Sequence, residues 1–133
     1  MQQDSIRLTV PTRGEYARTV RMTAAQLASR LGMSYDEVDD VRIAAEEAFV
    51  YACGCASEAD EVTFTFTIGG EGLDVAVGPL PGCCSAVAVP HSDGYAEFIL
   101  RAVCDELTIA HETGRCMLHF RFTAAVGVGE PGA

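Results

Sequence analysis

The chain has 133 residues, 49% of them hydrophobic, with a formal net charge of −10, which suits one globular domain and excludes a disordered chain. The acid excess argues against nucleic acid as a partner, because phosphate contacts need basic patches. No run approaches the ~20 apolar residues of a membrane span, and the opening MQQDSIRL lacks the basic and apolar regions of a leader, so the expectation is a cytoplasmic protein with no membrane partner.

Ser5 to Val10 alternates as a strand does and stops at Pro11. Glu15 to Leu31 has helical spacing: Tyr16, Val20, Thr23, Ala24, Leu27 and Leu31 share one face, and Gly32 ends the helix. Residues 1–31 hold Arg7, Arg13, Arg18, Arg21 and Arg30 against Asp4 and Glu15, a balance of +3, so the rest of the chain carries −13. Lysine is absent throughout. Arg18, Met22, Ala25 and Ser29 lie opposite the buried face, with Arg21 beside them. An apolar strip topped by arginine is a candidate surface for an acidic protein partner. A solvated face explains the charge pattern equally well, and scattered surface apolar residues need no special reason.

Ser34 to Cys53 reads as the second helix, with Ser34 and Glu37 as a capping box and Asp36, Asp39 and Asp40 loading the early turns with negative charge. Val38, Val41, Ala45, Ala48, Phe49 and Ala52 form an apolar stripe, and Asp39, Arg42 and Glu46 a solvated one. Asp40, Ala44, Glu47 and Tyr51 form a third line, whose plain explanation is packing against another element.

Glu61 to Ile68 and Leu73 to Val77 form a hairpin about Gly69 to Gly72, Pro79 to Asp93 a loop, and Gly94 to Asp105 a third helix capped by Asp93 with Glu97 in its first turn. Leu107 to Ala110 and Cys116 to Phe122 make a second hairpin, turned at Glu112 to Gly114. The order β-α-α-β-β-α-β-β predicts an α+β two-layer sandwich, with helices on one face of a mixed, mostly antiparallel sheet. The domain spans 1–123, and 124–133 is a loose Gly-rich tail. Cys104 and Cys116 read as small core residues. Cys53, Cys55, Cys83 and Cys84, with His91 near in sequence, match no recognised zinc spacing, so no metal is assigned; a thiol or metal sensor remains an alternative.

Glu47-Ala48-Phe49-Val50-Tyr51-Ala52, the preceding residues from Ile6 to Met33, and Ala96 to Ile109 resemble the RsbW and SpoIIAB family of anti-sigma factors. These are bacterial serine protein kinases on the histidine-kinase-like (GHKL, or Bergerat) ATPase fold. The resemblance implies that architecture, and a partner that is a sigma factor or an anti-anti-sigma factor. It makes Glu47 the family's catalytic base and matches Tyr16-Ala17-Arg18 to a partner-contacting arginine, with Tyr16, Arg18, Arg21, Met22 and Ala25 as the binding candidates. The family forms dimers, but nothing in this composition independently supports a homodimer.

The same resemblance marks what has changed at the nucleotide positions. The family's magnesium-holding Asn is Tyr51, the adenine-reading Asp and Gly of its D-x-G turn are Pro79 and Pro81, and of its lid glycines Gly94 remains while Ala96 replaces another. A phenol is a poor magnesium ligand, and proline carries no side-chain acceptor. The expectation is therefore a sequestering protein that has lost ATP and magnesium; an active ATP-dependent serine kinase is the alternative.

Overall fold

The computed structural model describes residues 3–55, 60–70, 72–81, 90–112 and 114–124, so the sensor candidates Cys83 and Cys84 and the expected tail beyond residue 124 lie outside the described residues. Strand β1 covers Asp4–Pro11. A 3-10 turn, Gly14–Tyr16, leads into helix α1, Ala17–Arg30, so the first helix splits into two pieces where one was expected. Gly32, at φ 77°, reverses the chain into α2, Tyr35–Cys55. The capping box is made in both directions: the Glu37 N–H donates to Ser34 Oγ at 3.1 Å, and the Ser34 N–H donates to Glu37 Oε1 at 2.7 Å.

Strands β2, Glu61–Gly69, and β3, Gly72–Pro81, form the first hairpin, and β4, Glu106–Glu112, and β5, Arg115–Thr123, the second. Helix α3, Pro90–Val103, stands between the hairpins. The sheet runs β1-β2-β3-β5-β4, and every described pairing is antiparallel, where a mixed sheet was expected. The reason is topological. β4 runs in the same direction as β3, but β5 folds back between them, so no parallel neighbours meet.

Side-chain alternation gives the sheet its two faces. Leu8, Phe64, Val77, Leu118 and Ile109 align across all five strands, as do Ile6, Phe66, Val75, Phe120 and Leu107. These rows meet the buried residues of the helices, including Val20, Leu27, Val41, Phe49 and Leu100, in one core. On the opposite face Arg121 donates to both carboxylate oxygens of Asp74, at 2.8 and 2.9 Å. Gly72 is required by close approach: a Cβ there would stand 2.2 Å from the Phe122 carbonyl oxygen.

Two boundaries differ from expectation in ways that bear on the site. β3 continues through Pro79 to Pro81, because its ladder breaks register between Val77 and Leu80 and then resumes with Leu80 opposite Cys116. Pro79 cannot donate to a ladder, but the irregularity returns Leu80 to the core, 1% exposed. α3 begins at Pro90, not Gly94. Proline suits the first turn of a helix, where its missing N–H costs nothing. Asp93 is therefore inside the first turn and not its cap. Glu97 lies in the third turn, paired with Arg101 at 2.8 Å, so the expected pair of carboxylates at the helix start is not formed.

Candidate functional site

α2 has two flanks, and the candidate residues divide between them. On one side it packs along α1, as the short connection from Leu31 to Ser34 favours. Arg21 Nη1 donates to Glu46 Oε1 at 3.1 Å across the seam. Over it lies an open groove of ≈ 680 Å³ lined by Arg18, Arg21, Met22, Ala25, Arg30, Val38 and Arg42, among others. Four of the five partner-binding candidates, Arg18, Arg21, Met22 and Ala25, are thus brought together. Met22 is 55% exposed, which leaves an apolar side chain in water beside three arginines of α1.

The fifth candidate, Tyr16, does not line the groove. It belongs to the 3-10 turn, half-buried against the core, with the Arg13 guanidinium 5.4 Å from its ring centroid. Arg30, Val38 and Arg42 complete the groove and escape a reading made along α1 alone. The signal for them was the short Leu31–Ser34 turn, which forces the start of α2 against the end of α1.

On its other side α2 packs along α3. The third line of α2 is explained by this contact: Ala44 is fully buried and Tyr51 only 3% exposed, and Ala96 and Leu100 of α3 are fully buried as well. Glu47, one turn before Tyr51, is half-buried, and its carboxyl is pushed above the usual carboxylate range, first by desolvation and then by the charge of Glu46. Asp40, near the start of α2, is raised too, first by desolvation and then by Asp39, Asp36, Asp105 and Glu37.

The remaining nucleotide positions lie on β3 and α3. Pro79 is exposed and lines a small cavity of ≈ 240 Å³ with Ala110, Arg115, Cys116 and Met117, which includes neither Glu47 nor Tyr51. Pro81 ends β3 and Gly94 lies inside α3. Among the cysteines, Cys53 and Cys55 are half-buried at the end of α2 and outside any disulfide, and burial pushes the Cys53 thiol up. Cys104 is a free thiol pushed up to about 12 by burial, with Asp105 and Asp40 adding to it. Cys116 is buried as expected, but disulfide-bonded rather than free.

Residues 10–78 match the model of the histidine kinase-like ATPase domain. That segment is more than half of the chain and contains both α1 and α2. The chain belongs to the histidine kinase-like ATPase domain family. Within that family it is RsbW-like, as its sequence resemblance implied. It is 24% identical over 137 residues to the serine-protein kinase RsbW of Bacillus cereus (strain B4264), covering 90% of this chain and 85% of that one. To RsbW of Bacillus subtilis (strain 168) it is 38% identical over 77 residues, 56% of this chain and 48% of the relative. The crystal structure of the RsbU and RsbW domains of a Mycobacterium tuberculosis protein superposes with a TM-score of 0.70 at 17% identity, over 90% of this chain and 31% of that longer one. The shared fold is thereby established. Glu47 and Tyr51 fall inside the family match, while Pro79, Pro81, Gly94 and Ala96 lie beyond its last residue.

Among the described residues no helix is long and apolar enough to cross a membrane.

Proposed function

We propose that this histidine kinase-like ATPase domain is a regulatory protein that holds a sigma factor or an anti-anti-sigma factor by sequestration, without turning over ATP. One observation carries the reading: Tyr51, at the position where the family's asparagine holds magnesium, is 3% exposed and part of the core. Magnesium needs compact oxygen ligands in a near-ideal octahedron. A phenol ring enclosed between α2 and α3 supplies neither the ligand nor the space. Pro79 offers no acceptor for an adenine amino group, and Glu47 without metal and phosphate has no proton transfer to perform. We take Glu47 as a retained half-buried acid, not a working base. The residues at these positions do not fit a magnesium nucleotide.

The partner side of the reading is supported by the α1/α2 groove, where Arg18, Arg21, Met22 and Ala25 share one open surface. Arginine and methionine suit interface centres, the first for bidentate contacts to carboxylates and the second for adaptable packing.

Two measurements test the two halves separately. Millimolar Mg-ATP should leave the thermal midpoint unchanged. Were it bound with ligand a hundredfold above the dissociation constant, linkage would add about 2.7 kcal/mol, a rise of several degrees that would restore the kinase reading. Arg18→Glu should abolish capture of the cognate sigma factor or antagonist while leaving the unfolding curve in place, and undiminished capture would remove α1 from the interface.

A further inference from the structure

Four arginines border the α1/α2 groove, and among the described residues two of them form ion pairs. Arg21 is held by Glu46 and Arg42 by Asp39. Arg18 and Arg30 are exposed and make no ion pair among the described residues, in a chain whose acids outnumber its bases by ten. The nearby carboxylates Asp39 and Glu46 are already engaged. Both unpaired cations belong to α1, twelve positions apart and so about 18 Å along the helix axis. Met22, Ala25 and Val38 lie among them as an apolar floor. A seam between two packed helices suits a third helix laid into it, reading anchors at helical spacing.

We infer that the groove receives an amphipathic acidic helix of a protein partner, with its apolar side on Met22, Ala25 and Val38 and two carboxylates, about three turns apart, on Arg18 and Arg30. Charge complementarity is what selects this occupant. Arg30 is the second anchor, and it lies outside the Tyr16-Ala17-Arg18 setting by which the family resemblance marked this helix. The acidic remainder of the chain repels nucleic acid and other polyanions that are not confined to the groove. The inference rests on the sequestration reading for its biological use and adds to it the chemistry of what is held.

The test is a naive yeast-displayed library of helical peptides sorted against the full chain. Enriched peptides should carry two acidic residues about eleven positions apart flanking apolar residues. Their binding should weaken at least about tenfold with Arg18→Gln and again with Arg30→Gln, and should be unmoved by Arg115→Gln on strand β5. Enrichment of peptides without that acidic pair, no enrichment at all, or binding indifferent to Arg30→Gln would overturn the inference. The outcomes also separate it from the reading it builds on. Sigma-factor capture that survives Arg30→Gln sinks the two-anchor groove but leaves sequestration standing, whereas selected peptides that seat on both arginines in a protein that holds no sigma factor do the reverse.

Discussion

The two flanks of α2 are built from the same backbone and do opposite things. Toward α1 the helix offers Val38 and Arg42, which line the groove, and Glu46, which pairs with Arg21 across the seam. Toward α3 it offers Ala44 and Tyr51, a small residue and a ring that let the two helices close on one another. Small residues permit close approach and a ring fills what remains. Among the described residues the α1 flank carries the groove, while at the α3 flank Ala44 and Tyr51 are buried.

The strongest way to break this contrast is to remove the buried ring. Tyr51→Ala should lower unfolding stability by about 3–4 kcal/mol in urea melts, the cost of deleting a buried aromatic that its surroundings cannot refill. A loss below about 1 kcal/mol would mean that the ring lines an accessible site instead of filling the core, and the case for a lost nucleotide would weaken with it. Adding volume sharpens the same contrast at smaller scale. Ala44→Leu should cost about 1–3 kcal/mol by overpacking the α2/α3 contact. Ala25→Leu, on the open groove, should stay within about 0.5 kcal/mol, as surface substitutions do. Equal effects at the two alanines would erase the distinction between the flanks.

Much of this was legible before any coordinates. EVTFTFTI announces a strand with one buried face because its period is two, and Val62, Phe64 and Phe66 are the buried set. Ser34 and Glu37 announce a helix start because the reciprocal bonds need that spacing, and both bonds form. Prolines misled in two places because their meaning depends on context. Pro79 and Pro81 read as a break, yet β3 absorbs them through a register irregularity that keeps Leu80 in the core. Pro90 reads as loop, yet it begins α3. At the site, the identity of the odd residue at Tyr51 was visible, but its depth was not. Depth depends on how α2 and α3 pack, and the buried Ala44 and Ala96 of those helices are far apart in the chain. The groove was half visible for a related reason: a helical wheel finds Arg18 and Met22, but Val38 and Arg42 join them only once the second helix is laid beside the first.

The acids of α2 give the subtlest test. Asp40 and Glu47, both on the third line of the helix, hold their protons to higher pH than ordinary carboxyls, chiefly because they are desolvated. Around Asp40 the facing charges are all negative: Asp39, Asp36 and Glu37 from its own helix and Asp105 from beyond α3. Asp39, by contrast, is paired with Arg42. An acid with a raised folded-state pKa makes no difference below its unfolded value near 4, where both states are protonated. As pH climbs from there through the raised value the unfolded chain releases its proton first, so stability falls, and above that window the penalty is constant. Asp40→Asn should therefore raise the thermal midpoint at pH 7, with the gain shrinking to nothing as pH falls toward 4. Asp39→Asn should produce no such gain, since it removes the acid that Arg42 is paired with. If Asp40→Asn were instead destabilising at neutral pH, its carboxylate would have to be a charge the fold uses. The flank toward α3 would then carry an attraction that its burial and its crowd of like charges give no sign of.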